Sequence, residues 1–183
     1  MSKIRAARAD DAPAITAIYN HGIAERGATF ETRPRQVSDL LQRIQHDDGF
    51  PLLVATDESE AVLGWAGLSA YRPRECYAGV ADFSIYLDPA ARNRGVGRRL
   101  LEALVEAARQ RGYWKLVSRV FPFNAGSRAL CRACGFREVG VYEKHSHLDG
   151  HWLDVVIVER LIPENQATPV GAAIATNQNR SIP

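Results

Sequence analysis

Apolar residues recur at two spacings along this chain, and the change from one to the other marks out its elements. Lys3 to Ala6 reads as a short opening strand. Ile15, Ile18, Tyr19 and Ile23 then fall on one face of a helix, with Asp10 or Asp11 as N-cap and Pro13 in the first turn. After an irregular stretch from Gly27 to Pro34, Ser38 is placed to cap a second helix carrying Leu40, Leu41 and Ile44. Leu52 to Ala55 and Val62 to Leu68 read as a hairpin around the polar turn Asp57 to Glu60. The Pro-broken segment Arg72-Pro-Arg-Glu75 reads as a loop, and Val80 to Leu87 as a strand ended by Asp88-Pro89. From Val96 the period becomes helical again, through Leu100, Leu101, Leu104, Val105 and Ala108 to a stop at Gly112. Leu116 to Val120 is a strand, and Ala125 to Cys134 a helix stopped by Gly135. Val139 to Tyr142 and Leu153 to Val158 are the last two strands.

This order predicts an α/β fold in which one mixed sheet carries helices on both faces. Residues 1–162 form the expected domain, and the small, polar, aperiodic residues 163–183 a flexible tail. At 183 residues, with 46% apolar and 24% charged positions, the chain suits a single soluble domain. A net charge of +2 gives no reason to expect nucleic acid or a membrane surface as partner. No run is long and apolar enough to span a bilayer, and the N-terminus lacks a secretory h-region. With only Cys76, Cys131 and Cys134, the expectation is a cytoplasmic protein with free thiols.

The stretch Arg92-Asn-Arg-Gly-Val-Gly-Arg-Arg99 lies between a strand and a long amphipathic helix. Gly95 and Gly97 let backbone N–H groups approach a ligand, and the helix that follows presents its positive end at the same place. Such a turn suits a pyrophosphate, with Arg92, Arg94, Arg98 and Arg99 available to its oxygens. A Walker loop is excluded, because no Gly-Lys-Ser/Thr follows. A Rossmann turn is disfavoured by the missing third glycine. A plain turn with solvated arginines remains the alternative.

The R-x-x-G-x-G pattern after a strand ending in an acidic-Pro turn resembles the acetyl-CoA loop of the GNAT superfamily. Asn124-Ala-Gly-Ser-Arg-Ala-Leu-Cys-Arg-Ala-Cys-Gly-Phe136 resembles that superfamily's later helix, in the same order. Ile18-Tyr-Asn-His21, Ala28-Thr-Phe-Glu-Thr32, Tyr77 to Tyr86 and Asp149 to Val155 are similar to the phosphinothricin-type amino-acid acetyltransferases, most closely to their arsinothricin branch. The resemblance implies a sheet splayed beside Leu87 with acetyl-CoA in the opening. It implies cofactor contacts from Ile85, Tyr86 and Leu87, from Arg92, Arg94, Gly95, Val96, Gly97, Arg98 and Arg99, and from Asn124 and Ser127. It implies N-acetylation of a small acidic amino-acid analogue, arsinothricin or phosphinothricin, and hence resistance by detoxification. Methionine sulfoximine or a protein terminus is the alternative amine, and a silent acetyl-CoA sensor the alternative class. The apolar last strands, with the family's habit of pairing, imply a homodimer.

Amide formation from a thioester needs an amine that has lost a proton, so a carboxylate is expected at the reacting centre. Asp82 interrupts an apolar strand, where an acid is costly unless partnered. In the resembled family a Glu at this position is the presumed base. Asp is one methylene shorter, which favours a bridging water. Pairing with an arginine is the competing explanation. Arg72 and Arg74, held by Pro73, are candidate anchors for the substrate's anionic groups. Phe30 and Tyr77 either wall that pocket or pack in the core. Cys131 stands where many relatives carry a Tyr acid, leaving the thiolate's proton donor unassigned. His145, His147 and His151 do not make a metal site by spacing, since strand geometry puts only the first two on one face; no metal is expected.

Overall fold

A computed structural model of the chain describes residues 2–46 and 49–166. Seven strands form one sheet: β1 (Lys3–Ala6), β2 (Leu52–Thr56), β3 (Val62–Ala70), β4 (Val80–Leu87), β5 (Lys115–Val120), β6 (Arg137–Leu148) and β7 (His151–Leu161). Their spatial order is β1-β2-β3-β4-β5-β7-β6. Every neighbouring pair is antiparallel except β4 and β5, which are parallel. Four helices cover the sheet: α1 (Ala12–Ala24), α2 (Val37–Gln45), α3 (Val96–Gln110) and α4 (Ala125–Ala133).

The two faces bury two separate apolar clusters. Ile15 and Ile18 of α1 and Leu40 of α2 pack with Leu52, Val54 and Trp65 on one side. On the other, Leu100, Leu101 and Leu104 of α3 pack with Ala66, Leu68, Phe83, Leu116 and Val158. Consecutive strand residues point to opposite faces, so β4 sends Phe83 to the α3 side and Tyr86 to the α1 side. The Arg43 guanidinium ties α2 to the sheet by donating to the Leu68 carbonyl at 2.7 Å. Among the described residues no helix is long and apolar enough to cross a membrane.

The helix starts differ from the sequence expectation. Asp11 stands at the N-cap of α1 but does not cap it with its side chain. Its carboxylate turns back to Arg5, at 2.7 and 2.9 Å, and to the Arg8 amide at 2.7 Å. A charge-assisted fork outcompetes a single capping bond. Helix α2 begins one residue before Ser38, with Gln36 as N-cap; Asp39 accepts from the Gln36 amide at 3.1 Å.

The last hairpin is longer than its apolar pattern indicates. Its outer strand is mostly exposed, so the polar run Glu143 to His147 carries no periodic signal. A register shift between Tyr142 and Ser146 lets the pairing continue, with Lys144 at φ +46° and its amide held by Asp154 at 2.8 Å. Asp149 and Gly150, both at positive φ, close a two-residue turn. Of the expected tail, Pro163–Asn165 form a 3-10 turn, and Asn165 donates to the carbonyls of Arg109 and Tyr113 at 2.7 and 2.8 Å. Residues 167–183 lie outside the described residues.

Leu104 is fully buried in the α3 cluster. Leu104→Ala is expected to lower unfolding stability by about 2–5 kcal/mol, read as a lower urea midpoint at unchanged slope.

Candidate active site

β4 and β5 pair only from Val80↔Lys115 to Asp82↔Val117. Beyond that point β4 stays with β3 as far as Leu87, while β5 stays with β7 as far as Val120. The opening therefore begins at Asp82, five residues before the expected place beside Leu87, which lies at the wide end. Ser118 bridges the narrow end, its hydroxyl donating to the Phe83 carbonyl at 2.9 Å. The remaining backbone edge of β4, through Ile85 to Leu87, faces a cavity instead of a strand.

That cavity has a volume of about 730 Å³. Its walls include Ile85 and Leu87 of β4, the turn at Arg92, Asn93 and Gly95, and Asn124 of α4. Gly95 is the N-cap of α3 in the left-handed region, φ +76°, with open space where a side chain would stand. The first amides of α3 precede its first intrahelical hydrogen bond and are free for an anion. Gly97 lines this cavity as expected and has a packing role besides. A Cβ there would stand 3.0 Å from Leu87 and 3.4 Å from Leu130, so the residue is small to let α3 pack against β4 and α4.

The arginines of the turn divide. Arg98 lines the cavity and is held by Glu102 at 2.8 Å. Arg92 lines it too, in a fork with Glu25 at 2.8 and 2.7 Å. Arg94 folds back on the Ala90 carbonyl at 3.4 Å, and Arg99 turns to Ser2 at 2.8 Å. Val96 is buried in the core. These three expected cofactor residues do not line the cavity. Asn124 caps α4 by accepting from the Ser127 amide at 3.0 Å, and donates to the Gly27 carbonyl at 2.9 Å. It thereby fixes the segment that follows α1; Ser127, Tyr86 and Gly97 complete the expected residues that the cavity brings together.

A second cavity, of about 540 Å³, lies on the α1 side of the same strand. Asp82, Ser84 and Tyr86 line it from β4, Arg119 and Phe121 from β5 and beyond, and residues 28–33 from the segment after α1. Ala28 and Tyr86 belong to the walls of both cavities, so the two adjoin there. Tyr86 is fixed by stacking on Trp65, with ring centroids 5.0 Å apart, and its hydroxyl donates to the Ala28 carbonyl at 3.3 Å. Phe30 meets Phe121 edge to face at 4.6 Å and walls the second cavity, as one of its two sequence readings had it.

Asp82 sits where the strands part. Its Oδ1 accepts from Arg119 Nη1 at 2.8 Å. Burial pushes its carboxyl above the usual carboxylate range, against the charge and hydrogen bond of Arg119 and the charge of Arg72. The acid is thus both partnered by an arginine and open to a cavity. Arg72, Arg74 and Tyr77 line neither cavity. Arg72 lies over the Tyr71 ring at 5.3 Å, Tyr77 meets the same ring edge-on at 5.5 Å, and Arg74 is exposed ahead of a 3-10 turn.

A half-buried acid thus stands where two parallel strands part, in a cavity that adjoins the one headed by a Gly-capped helix. The profile of the Acetyltransferase (GNAT) family fits residues 15–136. The chain belongs to this family. It is 37% identical over 169 residues to a phosphinothricin N-acetyltransferase of Alcaligenes faecalis, covering 90% of this chain and 85% of the relative. It is 32% identical over 182 residues to an L-methionine sulfoximine/L-methionine sulfone acetyltransferase of Pseudomonas aeruginosa, covering 92% and 99%. A GNAT superfamily phosphinothricin acetyltransferase from Sinorhizobium meliloti, solved in complex with AcCoA, superimposes with a TM-score of 0.85 at 32% identity, over 98% of this chain and 99% of that one. The splayed mixed α/β sheet is the GNAT fold, and the chain is an N-acetyltransferase.

Sequence reasoning missed Arg119, Phe121 and most of the 28–33 wall of this GNAT site. Arg119 follows an apolar strand pattern with nothing local to mark it, although an arginine partner for Asp82 was foreseeable in kind. Cys131, by contrast, is 3% exposed, lines neither cavity, and has its thiol pushed up to about 12, first by burial and then by the neighbouring Cys134. Among the described residues no cluster of three or more His, Cys, Asp or Glu is placed to hold a metal ion. His147 instead meets Trp152 edge to face at 5.2 Å.

Cys76 is the exposed thiol, while Cys131 and Cys134 are buried. A thiol reagent at pH 8 is expected to modify one cysteine per native chain and three after unfolding, with Cys76→Ser abolishing the native reaction. Fast native labelling of Cys131 would contradict its placement.

Proposed function

We propose that this N-acetyltransferase moves the acetyl group of acetyl-CoA to the α-amino group of a small acidic amino-acid analogue in the cytoplasm, detoxifying it. Phosphinothricin and arsinothricin are the favoured substrates, and methionine sulfoximine the alternative. The reading rests on one observation above all: Asp82 opens into a cavity that adjoins the helix-capped cavity at Tyr86 and Ala28. The names of the Alcaligenes and Pseudomonas relatives support the substrate class, and the AcCoA of the Sinorhizobium structure supports the donor.

The residues of the larger cavity fit acetyl-CoA. The free amides of α3 and the Arg98 guanidinium suit its pyrophosphate, the open space at Gly95 admits close approach, and the unpaired edge at Ile85 to Leu87 suits its amide-bearing arm. Acetyl-CoA supplies the activated acyl group. Asp82 takes the proton that the substrate ammonium must lose, directly or through one water. Its raised pKa makes it a stronger base than an exposed aspartate. The N–H groups of the free β4 edge would supply hydrogen-bond donors to the oxyanion. Tyr86 and the 28–33 segment bound the cavity that would take the amine. A silent sensor has no use for a carboxylate poised in a second cavity.

Val139, Val141, Trp152 and Leu161 are large apolar side chains left exposed on β6 and β7. They support the expected homodimer, with these strands as the contact.

Two measurements test the function. Thiol release from acetyl-CoA is expected with phosphinothricin or methionine sulfoximine and to fall about 10²–10⁴-fold in kcat for Asp82→Asn; an unimpaired, folded Asp82→Asn would remove the base assignment. Acetyl-CoA is expected to raise the melting temperature, because it binds only the folded state. Gly97→Val pushes α3 off Leu87 and Leu130 and is expected to abolish that rise; the apo melting curve separates lost binding from lost folding.

A further inference from the structure

Arg119 and Asp82 meet through a single hydrogen bond, Nη1 to Oδ1 at 2.8 Å. An arginine and a carboxylate ordinarily favour a two-bonded fork, as Arg92 forms with Glu25 and Arg5 with Asp11 in this same chain. Here one arm of each partner is unspent. Among the described residues, Arg119 Nη2 and Nε and Asp82 Oδ2 have no hydrogen-bond partner. Both side chains line the same cavity, 39% and 21% exposed, so neither free arm is sealed in protein.

An α-amino acid carries the complementary pair. Its amine nitrogen and carboxylate carbon stand on one carbon, about 2.5 Å apart. A ligand amine set at the free oxygen of Asp82 brings its own carboxylate beside the free arm of Arg119. We propose that Asp82 and Arg119 together form a receptor for the α-amino-acid head group, with Arg119 holding the α-carboxylate while Asp82 receives the amine. This rests on the amino-acid reading above and deepens it, since it makes a free α-carboxylate a requirement. A protein N-terminus, whose first α-carboxyl is an amide, is then disfavoured, because it offers the Arg119 arm no carboxylate. Arg119 also replaces Arg74 as the first anchor, because Arg74 lines neither cavity.

Arg119 has a second consequence for the same reaction. It is the cation in contact with Asp82, and its charge favours the ionised carboxylate. The other charged or titratable groups around this cavity are Tyr86 on β4 itself, Tyr19 on α1, and Glu31 and Arg33 after α1, with Arg72 beyond β3 acting on Asp82 by its charge. Removing Arg119 removes the largest influence lowering the Asp82 pKa. The acidic limb of kcat/KM, which reports ionisation of the base, then moves to higher pH; Arg119→Lys keeps a cation there and moves it less.

The test compares L-phosphinothricin with its α-carboxamide, by thiol release, in the full-length protein. Wild type is expected to prefer the free acid by at least about 10-fold in kcat/KM. Arg119→Met is expected to lose about 10–150-fold on the free acid, chiefly in KM, and much less on the carboxamide. Arg119→Lys is expected to fall between, since an ammonium lacks the planar fork. Equal losses on both substrates, or an unmoved acidic limb, would overturn the proposal. The wild-type comparison stands even where Arg119→Met does not fold: equal wild-type rates on acid and carboxamide overturn the head-group receptor alone. Thiol release with neither phosphinothricin nor methionine sulfoximine overturns the amino-acid reading and the receptor with it.

Discussion

The parting of β4 from β5 after Asp82 is the constraint on which the rest of this molecule depends. Backbone donors and acceptors in a sheet must be paired, and a strand that loses its neighbour leaves a row of them unspent. Here β5 is drawn to β7 and β4 to β3, so the two separate as they leave their three paired positions. The Ser118 hydroxyl satisfies the first orphaned carbonyl, that of Phe83. Further along, the edge of β4 opens to the cavity headed by α3. A ligand with amide groups of its own is what such an edge can accept.

The segment after α1 completes what the split begins. It is held from several sides: by the Glu25–Arg92 fork, by Asn124 on the Gly27 carbonyl, by Tyr86 on the Ala28 carbonyl, and by Asn20 on the Arg35 amide at 2.8 Å. Arg26 pairs with Asp149 at the tip of the last hairpin, at 3.0 Å. One irregular stretch is thereby positioned by α1, the turn before α3, the N-cap of α4, β4 and the β6–β7 hairpin at once. It walls the smaller cavity without secondary structure of its own, which a loop can do only when its backbone groups find such partners. The two cavities then share Tyr86 and Ala28, which puts them on either side of one residue pair.

Asp82 shows how location changes the acidity of an ordinary residue. Placed at the last paired position, it is buried enough to have its pKa raised yet open enough to meet a ligand. One arginine keeps the charge tolerable without closing the site. Cys131 illustrates the opposite case: deep packing raises its pKa, and it lines neither of the two cavities.

The sequence by itself determined the elements whose signal is local. The 3.6-residue period of α3, the strand that bears Asp82, and the order strand, Gly-containing turn, helix were all legible, because each is set by neighbours within a few positions. So was the family, carried by two motifs in order. The tertiary structure alone decided which arginines serve the cavity: Arg92 and Arg98 do, while Arg94 and Arg99 are taken by other partners, a choice made by geometry among chemically identical side chains. It alone extended the polar β6–β7 hairpin, whose pairing is backbone-driven and carries no apolar period. It alone brought Arg119 to Asp82 across 37 residues of chain, because a contact between two strands depends on how the sheet is ordered, which no local pattern encodes.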